Sequence, residues 1–246
     1  CIFVGSDQTR ILVDAGLSGR ETGRRLEEIG IAPAELDAVC VTHEHDDHRA
    51  ALRVLQKRYG LDLYANAGTI EAMERNARMQ GLRWNVFTTG VPFPIGDLVL
   101  EPFSVPHDSY DPVGFVVSNG PSRVGIVTDM GIVTELIRER LRPCQVLVIE
   151  ANHDDDMLRA ANRPWSLKQR IAGRQGHLSN RQAGELLGDI AAAHLQAVFL
   201  AHLSAECNRP HLALRMAREA LAGRGFDHIR VELTYPERCS ERFRAG

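Results

Sequence analysis

The order of apolar and polar positions predicts a mixed α and β chain. Residues 1–4 and 10–14 are strand-like and flank the turn Gly5-Ser6-Asp7-Gln8-Thr9, which reads as a β-hairpin. Ser18 and Glu21, three positions apart, carry the spacing of a capping box and open a helix that runs to about Gly30. The apolar run Leu36 to Val41 predicts a strand over 36–43. Helices are expected at 49–58 and 68–80, with a strand at 61–65 between them. Strands then dominate, at 84–89, 97–105, 113–118 and 122–128, before a helix at 132–141 and a strand at 145–150. The last third predicts helices at 154–160, 165–172 and 181–193, a strand at 196–201, a helix at 209–223 and a strand at 229–233. Strict alternation of strand and helix would give a doubly wound parallel sheet. Here the strands cluster, so two sheets with helices outside them are expected, in a single domain spanning 1–246.

Composition changes this picture little. At 44% hydrophobic and 25% charged, with 246 residues, the chain is that of a globular protein whose core needs no disulfide staples. No apolar run approaches the ~18–20 residues of a membrane span, so no membrane association is expected. The net charge of −3 gives no global attraction to nucleic acid. Lys57 and Lys168 are the only lysines, so 29 − 2 = 27 of the basic residues are arginine, a bias that genome base composition explains as well as phosphate binding does. Five scattered cysteines (Cys1, Cys40, Cys144, Cys207, Cys239) form no CxxC pair and point to a reducing, cytoplasmic location.

The chemistry concentrates after the strand at 36–43, in Thr42-His43-Glu44-His45-Asp46-Asp47-His48. Imidazole and carboxylate are ligands for zinc, iron or manganese. His43 and His45 are two apart, so on extended chain they point the same way. Asp47 and His48 fall where the chain turns into a helix, and there they can address a second ion.

The pattern H-x-H-x-D-H resembles the metallo-β-lactamase superfamily, over nearly the whole chain. The resemblance implies further ligands at the ends of later strands, and His107 after Leu100-Glu101-Pro102-Phe103-Ser104-Val105, Asp129 after Val124-Gly125-Ile126-Val127 and His202 after Ala197-Val198-Phe199-Leu200 match those positions. That resemblance implies an α+β, four-layer αββα sandwich with the metal site at one edge of the two sheets. It implies two divalent ions (zinc, manganese or iron): His43, His45 and His107 on one, Asp47, His48 and His202 on the other, Asp129 bridging them, and Asp14 as structural support. The segments Glu150-Ala151-Asn152-His153-Asp154, Gly176-His177-Leu178-Ser179-Asn180 and Leu203-Ser204-Ala205-Glu206-Cys207-Asn208 are similar to the YycJ/WalJ-like branch, known for 5′→3′ DNA exonucleases. That branch normally begins with a further glycine- and serine-rich strand, which the resemblance implies has been lost before Cys1.

A dinuclear, metal-dependent phosphodiesterase acting on DNA, with RNA as the other polymer, is therefore expected. Asp47, Asp129 and His177 are its catalytic candidates, His177 as proton donor to the leaving 3′ oxygen. His153, His177, Ser179, Asn180 and Arg174 are candidate substrate contacts, although helix capping accounts for Ser179 and Asn180 equally well. The stretch 157–184 holds Arg159, Arg163, Lys168, Arg170, Arg174, His177 and Arg181 and no acidic residue, which suits phosphate contacts, with Trp165 available to stack on a base or to be buried. Asp154 or Asp155 and Asn208 are read as alternative helix caps. The competing functions are a small ester, thioester or lactam hydrolase on the same metals, and a non-catalytic protein with a vestigial site. No protein partner is identifiable.

Overall fold

The computed structural model describes residues 1–245. Its contacts fall into two compact units, Cys1–Ser104 with Ser109–Val113, and Val105–Asp108 with the chain from Gly114 onward.

In the first unit β1 (Ile2–Gly5), β2 (Arg10–Val13), β3 (Ala38–Cys40), β4 (Asp62–Asn66) and β5 (Trp84–Phe87) form a five-stranded sheet in that order. β1 and β2 are antiparallel with Ile2 opposite Val13, and the other neighbours are parallel. Helices α1 (Gly19–Glu28), α2 (Asp46–Arg49), α3 (Leu52–Tyr59) and α4 (Ala67–Glu74) fill the connections. Leu12, Val39 and Leu63 from the strands meet Leu26 of α1, Leu52 and Leu55 of α3 and Met73 of α4 in one buried cluster. Burying such a side chain is worth roughly 1.5–3 kcal/mol, which is why the helices stay on that face. β6 (Phe93–Ile95) and β7 (Leu98–Ser104) form an antiparallel hairpin.

In the second unit β8 (Val113–Asn119) and β9 (Ser122–Val127) are an antiparallel hairpin. β10 (Val146–Glu150), β11 (Ala197–Ala201) and β12 (Arg230–Leu233) follow in the order β12-β11-β10-β9-β8, parallel from β9 onward. Every residue of β10 and β11 is buried. Strands covered on both faces have no polar side to alternate with, so they read as continuous apolar runs. The helices are α5 (Glu135–Leu141), α6 (Asp155–Ala160), α7 (Trp165–Ile171), α8 (Asn180–Ile190) and α9 (Pro210–Ala222). α8 buries Ala183, Leu186, Leu187 and Ile190, the i, i+3, i+4, i+7 stripe of an amphipathic helix, and packs on α9.

Three boundaries differ from the sequence pattern for local reasons. The helix expected at 68–80 stops at Glu74, because Asn76 Oδ1 accepts from Arg78 N and the Arg53 guanidinium holds the carbonyls of Arg78 and Gln80. β6 was not expected; Pro94 masks a three-residue strand at the end of its sheet. The capping box at Ser18 is half formed: Ser18 Oγ accepts from Glu21 N, while the Glu21 carboxylate turns to Arg24 and Arg25. Among the described residues no helix is long and apolar enough to cross a membrane.

Candidate metal centre

In the first unit, β2 ends at Val13 and delivers Asp14, which takes a left-handed backbone conformation (φ 60°). Its carboxylate is buried and fully engaged. Oδ1 accepts from Thr42 N, and Oδ2 accepts from Thr42 Oγ1 and His48 Nδ1, all at 2.8 Å. Burial raises the Asp14 pKa, but the charge and hydrogen bond of His48, and the charge of His43, outweigh it and hold the carboxyl below its ordinary value. Thr42 Oγ1 gives its proton to Asp14 and so accepts from His43 Nδ1 at 3.0 Å. The rings of His45 and His48 lie 4.6 and 4.0 Å from that of His43, and Asp47 Oδ2 lies 3.7 Å from His48 Nε2. The loop is held down at Gly16, where a Cβ would stand 1.4 Å from the Asp47 carbonyl oxygen, so only glycine permits the approach. Ala15 N bonds the His48 carbonyl beside it.

In the second unit, Asp129 and His202 follow β9 and β11 and are also left-handed, at φ 57° and 58°. His107 lies three residues beyond β7, rather than at its end, and is buried. Its Nδ1 donates to the Gly176 carbonyl at 3.1 Å, and burial lowers its pKa. Asp129 Oδ1 lies 3.8 Å from His107 Nε2 and 3.5 Å from His202 Nε2.

Between these residues sits a group that the sequence reading left without a role. Glu150, the last residue of β10, has no exposed surface. Oε1 accepts from His177 Nδ1 at 2.7 Å and from His202 Nδ1 at 3.0 Å. Oε2 accepts from Met130 N at 3.0 Å and Leu178 N at 3.1 Å. One carboxylate thereby fixes two imidazoles and the backbone next to His177 and next to Asp129. Burial raises the Glu150 pKa, yet the two histidines hold it below the ordinary value; burial pushes His177 down, yet Glu150 and Asp129 hold it up. The signal in the sequence was the one that marked Asp129 and His202, a lone polar residue closing a wholly apolar run.

The donor set fits divalent ions. Metal-binding histidines usually donate the second ring N–H to a carboxylate or carbonyl, which fixes the tautomer. Here His43, His48, His107 and His202 each give Nδ1 to a protein acceptor (Thr42, Asp14, Gly176 and Glu150), so Nε2 is the nitrogen through which each could bind a metal. Asp129, Glu150, His177 and His202 offer ligand atoms within 4.8 Å of one another. Glu150 already accepts four N–H groups, so it anchors its neighbours and leaves Asp129 and His202 as the better placed candidate ligands of this group.

The other candidates separate clearly. Ser179 is buried and caps α8 in a complete capping box with Gln182. Asn180 is buried and exchanges hydrogen bonds with Asn208. Asn208 caps nothing by its side chain: its amide holds the carbonyls of Ala151 and Asn152, and α9 starts after Arg209 without a side-chain cap. Asp154 caps α6. His153 is buried, with Nδ1 lacking a hydrogen-bond partner and a pKa lowered by burial. Trp165 is 66% exposed. The basic stretch is largely neutralised: Arg159 pairs with Asp156, Arg163 with Glu206, Arg170 with Asp108, and Arg181 with Asp155 and Glu185. Arg174 is exposed and has no carboxylate partner among the described residues.

Residues 9–202 match the family described as the Beta-lactamase superfamily domain, and the chain belongs to that superfamily in its metal-binding form. It is 34% identical over 226 residues to Exodeoxyribonuclease YycJ of Bacillus anthracis, covering 92% of this chain and 86% of that one. It is 36% identical over 214 residues to Exodeoxyribonuclease WalJ of Streptococcus pneumoniae, covering 86% and 80%. Among solved structures, the metallo-β-lactamase fold protein YhfI of Bacillus subtilis superposes with a TM-score of 0.71 at 19% identity, over 94% of this chain and 87% of that one. The fold is therefore the metallo-β-lactamase sandwich.

Proposed function

We propose that this protein is a metal-dependent phosphodiesterase that digests DNA from the 5′ end toward the 3′ end. The observation that carries the reading is the shared tautomer of four histidines, each with Nδ1 tied down and Nε2 presented. The relatives named exodeoxyribonucleases support DNA as the substrate. In this reading His43, His45 and His107 hold one divalent ion, Asp47, His48 and His202 a second, and Asp129 both; zinc, manganese and iron suit the donors. Such a pair supplies a nucleophilic water at neutral pH and neutralises charge on the phosphoryl oxygens.

The chain's own residues do the rest. Asp47 and Asp129 orient the attacking water, and Asp47 takes the proton it gives up. As the bond from phosphorus to the 3′ oxygen breaks, that oxygen takes a proton from His177 Nε2. Glu150 supports this role, because it occupies His177 Nδ1 and leaves Nε2 as the donor. Arg174 binds a neighbouring phosphate.

The test uses protein stripped by a chelator and resupplied with manganese, zinc or iron. The substrates are 5′- and 3′-labelled DNA, RNA, bis-p-nitrophenyl phosphate, a thioester and a lactam. Metal-dependent release of nucleotides from the 5′ end is expected, and its loss in His45→Ala and Asp129→Asn. Turnover that survives either substitution, or thioester or lactam hydrolysis without phosphodiester cleavage, overturns the proposal.

A further inference from the structure

A small cleft of about 170 Å³ opens directly beside His177, walled by Asp108, Leu167, Arg170, Ile171 and Gly176. It is built by close backbone approach. A Cβ at Gly176 would stand 2.1 Å from the Ile171 carbonyl oxygen, and His177 N bonds that same oxygen at 2.8 Å, so the loop 173–177 is folded onto the end of α7. Successive helical residues turn by about 100°, which puts Leu167, Arg170 and Ile171 on one face of α7 and Trp165 on the other. One wall is thus apolar. The outer wall is the ion pair from Arg170 Nε to Asp108 Oδ2.

We infer that this cleft holds the nucleoside that departs with the 3′ oxygen. The assignment rests on the phosphodiesterase reading above and deepens it. If His177 protonates the leaving oxygen, the sugar and base attached to that oxygen lie on the histidine's side of the scissile phosphate, where the cleft is. Leu167 and Ile171 offer a surface on which any base packs without sequence readout. The volume lies well below the ~300–1,000 Å³ of a site that engulfs a larger ligand, so it has room for no more than the one base and not for a second nucleoside. A subsite of that size on the leaving side selects a chain end over an internal bond.

The experiment compares two 5′-phosphorylated duplexes that differ only at the first residue, thymidine in one and an abasic tetrahydrofuran in the other. First-residue release is measured in single turnover with manganese-loaded protein. The wild type is expected to release thymidine at least tenfold faster. Leu167→Trp, which fills the cleft, and Leu167→Ala, which strips its wall, are expected to bring the two rates together. Both variants should keep the wild-type manganese affinity. Leu167 is half-buried, so neither change threatens the core. Equal rates on the two ends in the wild type, or an unchanged ratio in both variants, overturn this assignment alone. Failure of the metal-loaded wild type to cut DNA or bis-p-nitrophenyl phosphate removes the phosphodiesterase reading, and this one with it.

Discussion

Glu150→Gln separates the anchor from the imidazoles it holds. The substitution keeps size and burial but turns one carboxylate oxygen into an amide NH2. Each oxygen faces two N–H donors, His177 and His202 on Oε1 and Met130 and Leu178 on Oε2, so whichever way the amide turns, two donors face another donor. A hydrogen bond to a charged group contributes about 1.5–3 kcal/mol, so losing two bounds the cost at ~3–6 kcal/mol. The pair on the remaining oxygen is kept and adds nothing to that cost. For a chain of this length each kcal/mol moves the melting point by about 2–4 °C, which gives a fall of about 6–24 °C in the metal-free protein. His202 also loses its orientation, and removing such support typically weakens metal binding about 10–100-fold. Circular dichroism melting of the stripped protein and a competitive metal titration measure the two effects separately. A variant that melts within about 2 °C of wild type and binds metal as tightly would refute the view that one carboxylate anchors this half of the site.

Other substitutions test the remaining assignments. Ser179→Ala removes a helix cap and should cost about 1 kcal/mol in denaturant unfolding with kcat unchanged; a fall in kcat at constant stability would make Ser179 a substrate contact instead. Gly16→Ala forces the backbone at Asp47 to move and should reduce the metal bound per chain by plasma emission analysis, while a fully loaded variant would show that the loop is not held there. Arg174→Ala should lower the slope of log affinity for duplex DNA against log salt by about 1. The paired Arg159, by contrast, should leave that slope unchanged when replaced by alanine, and a fall of similar size there would show that its partner Asp156 does not neutralise it.

Much of this was legible in the sequence where burial and chemistry coincide. The apolar runs at β10 and β11 announced buried strands, and the polar residues Asp129 and His202 that follow such runs were legible as candidate ligands, while Glu150 closing β10 was not. Side-chain competition was not legible. Nothing in the linear order says that the arginines of 157–184 find carboxylates, since Arg163 meets Glu206 and Arg170 meets Asp108 only through the fold. Asn180 and Asn208 look like cap residues locally, and only tertiary contact shows them bonded to each other. The early stop of α4 is likewise tertiary, because Arg53 takes the carbonyls of Arg78 and Gln80.

The backbone shows why the strand ends carry the chemistry. Asp14, Asp129 and His202 all take the left-handed region, at φ 60°, 57° and 58°, and they are the only described non-glycine residues with positive φ. Each such residue costs of order 1–3 kcal/mol, so the three together cost ~3–9 kcal/mol, against a net stability of about 5–15 kcal/mol for a typical domain. Glycine would relieve the strain and would bring no side chain. The strain is offset locally: Asp14 accepts three hydrogen bonds, the chain after Asp129 is tied to Glu150 through Met130 N, and the His202 carbonyl accepts from Asn152 Nδ2 at 2.8 Å. Backbone strain alone would favour glycine at all three positions. At Asp14 the three hydrogen bonds of the carboxylate, and at His202 the bond from Nδ1 to Glu150, are side-chain contributions that glycine would forfeit.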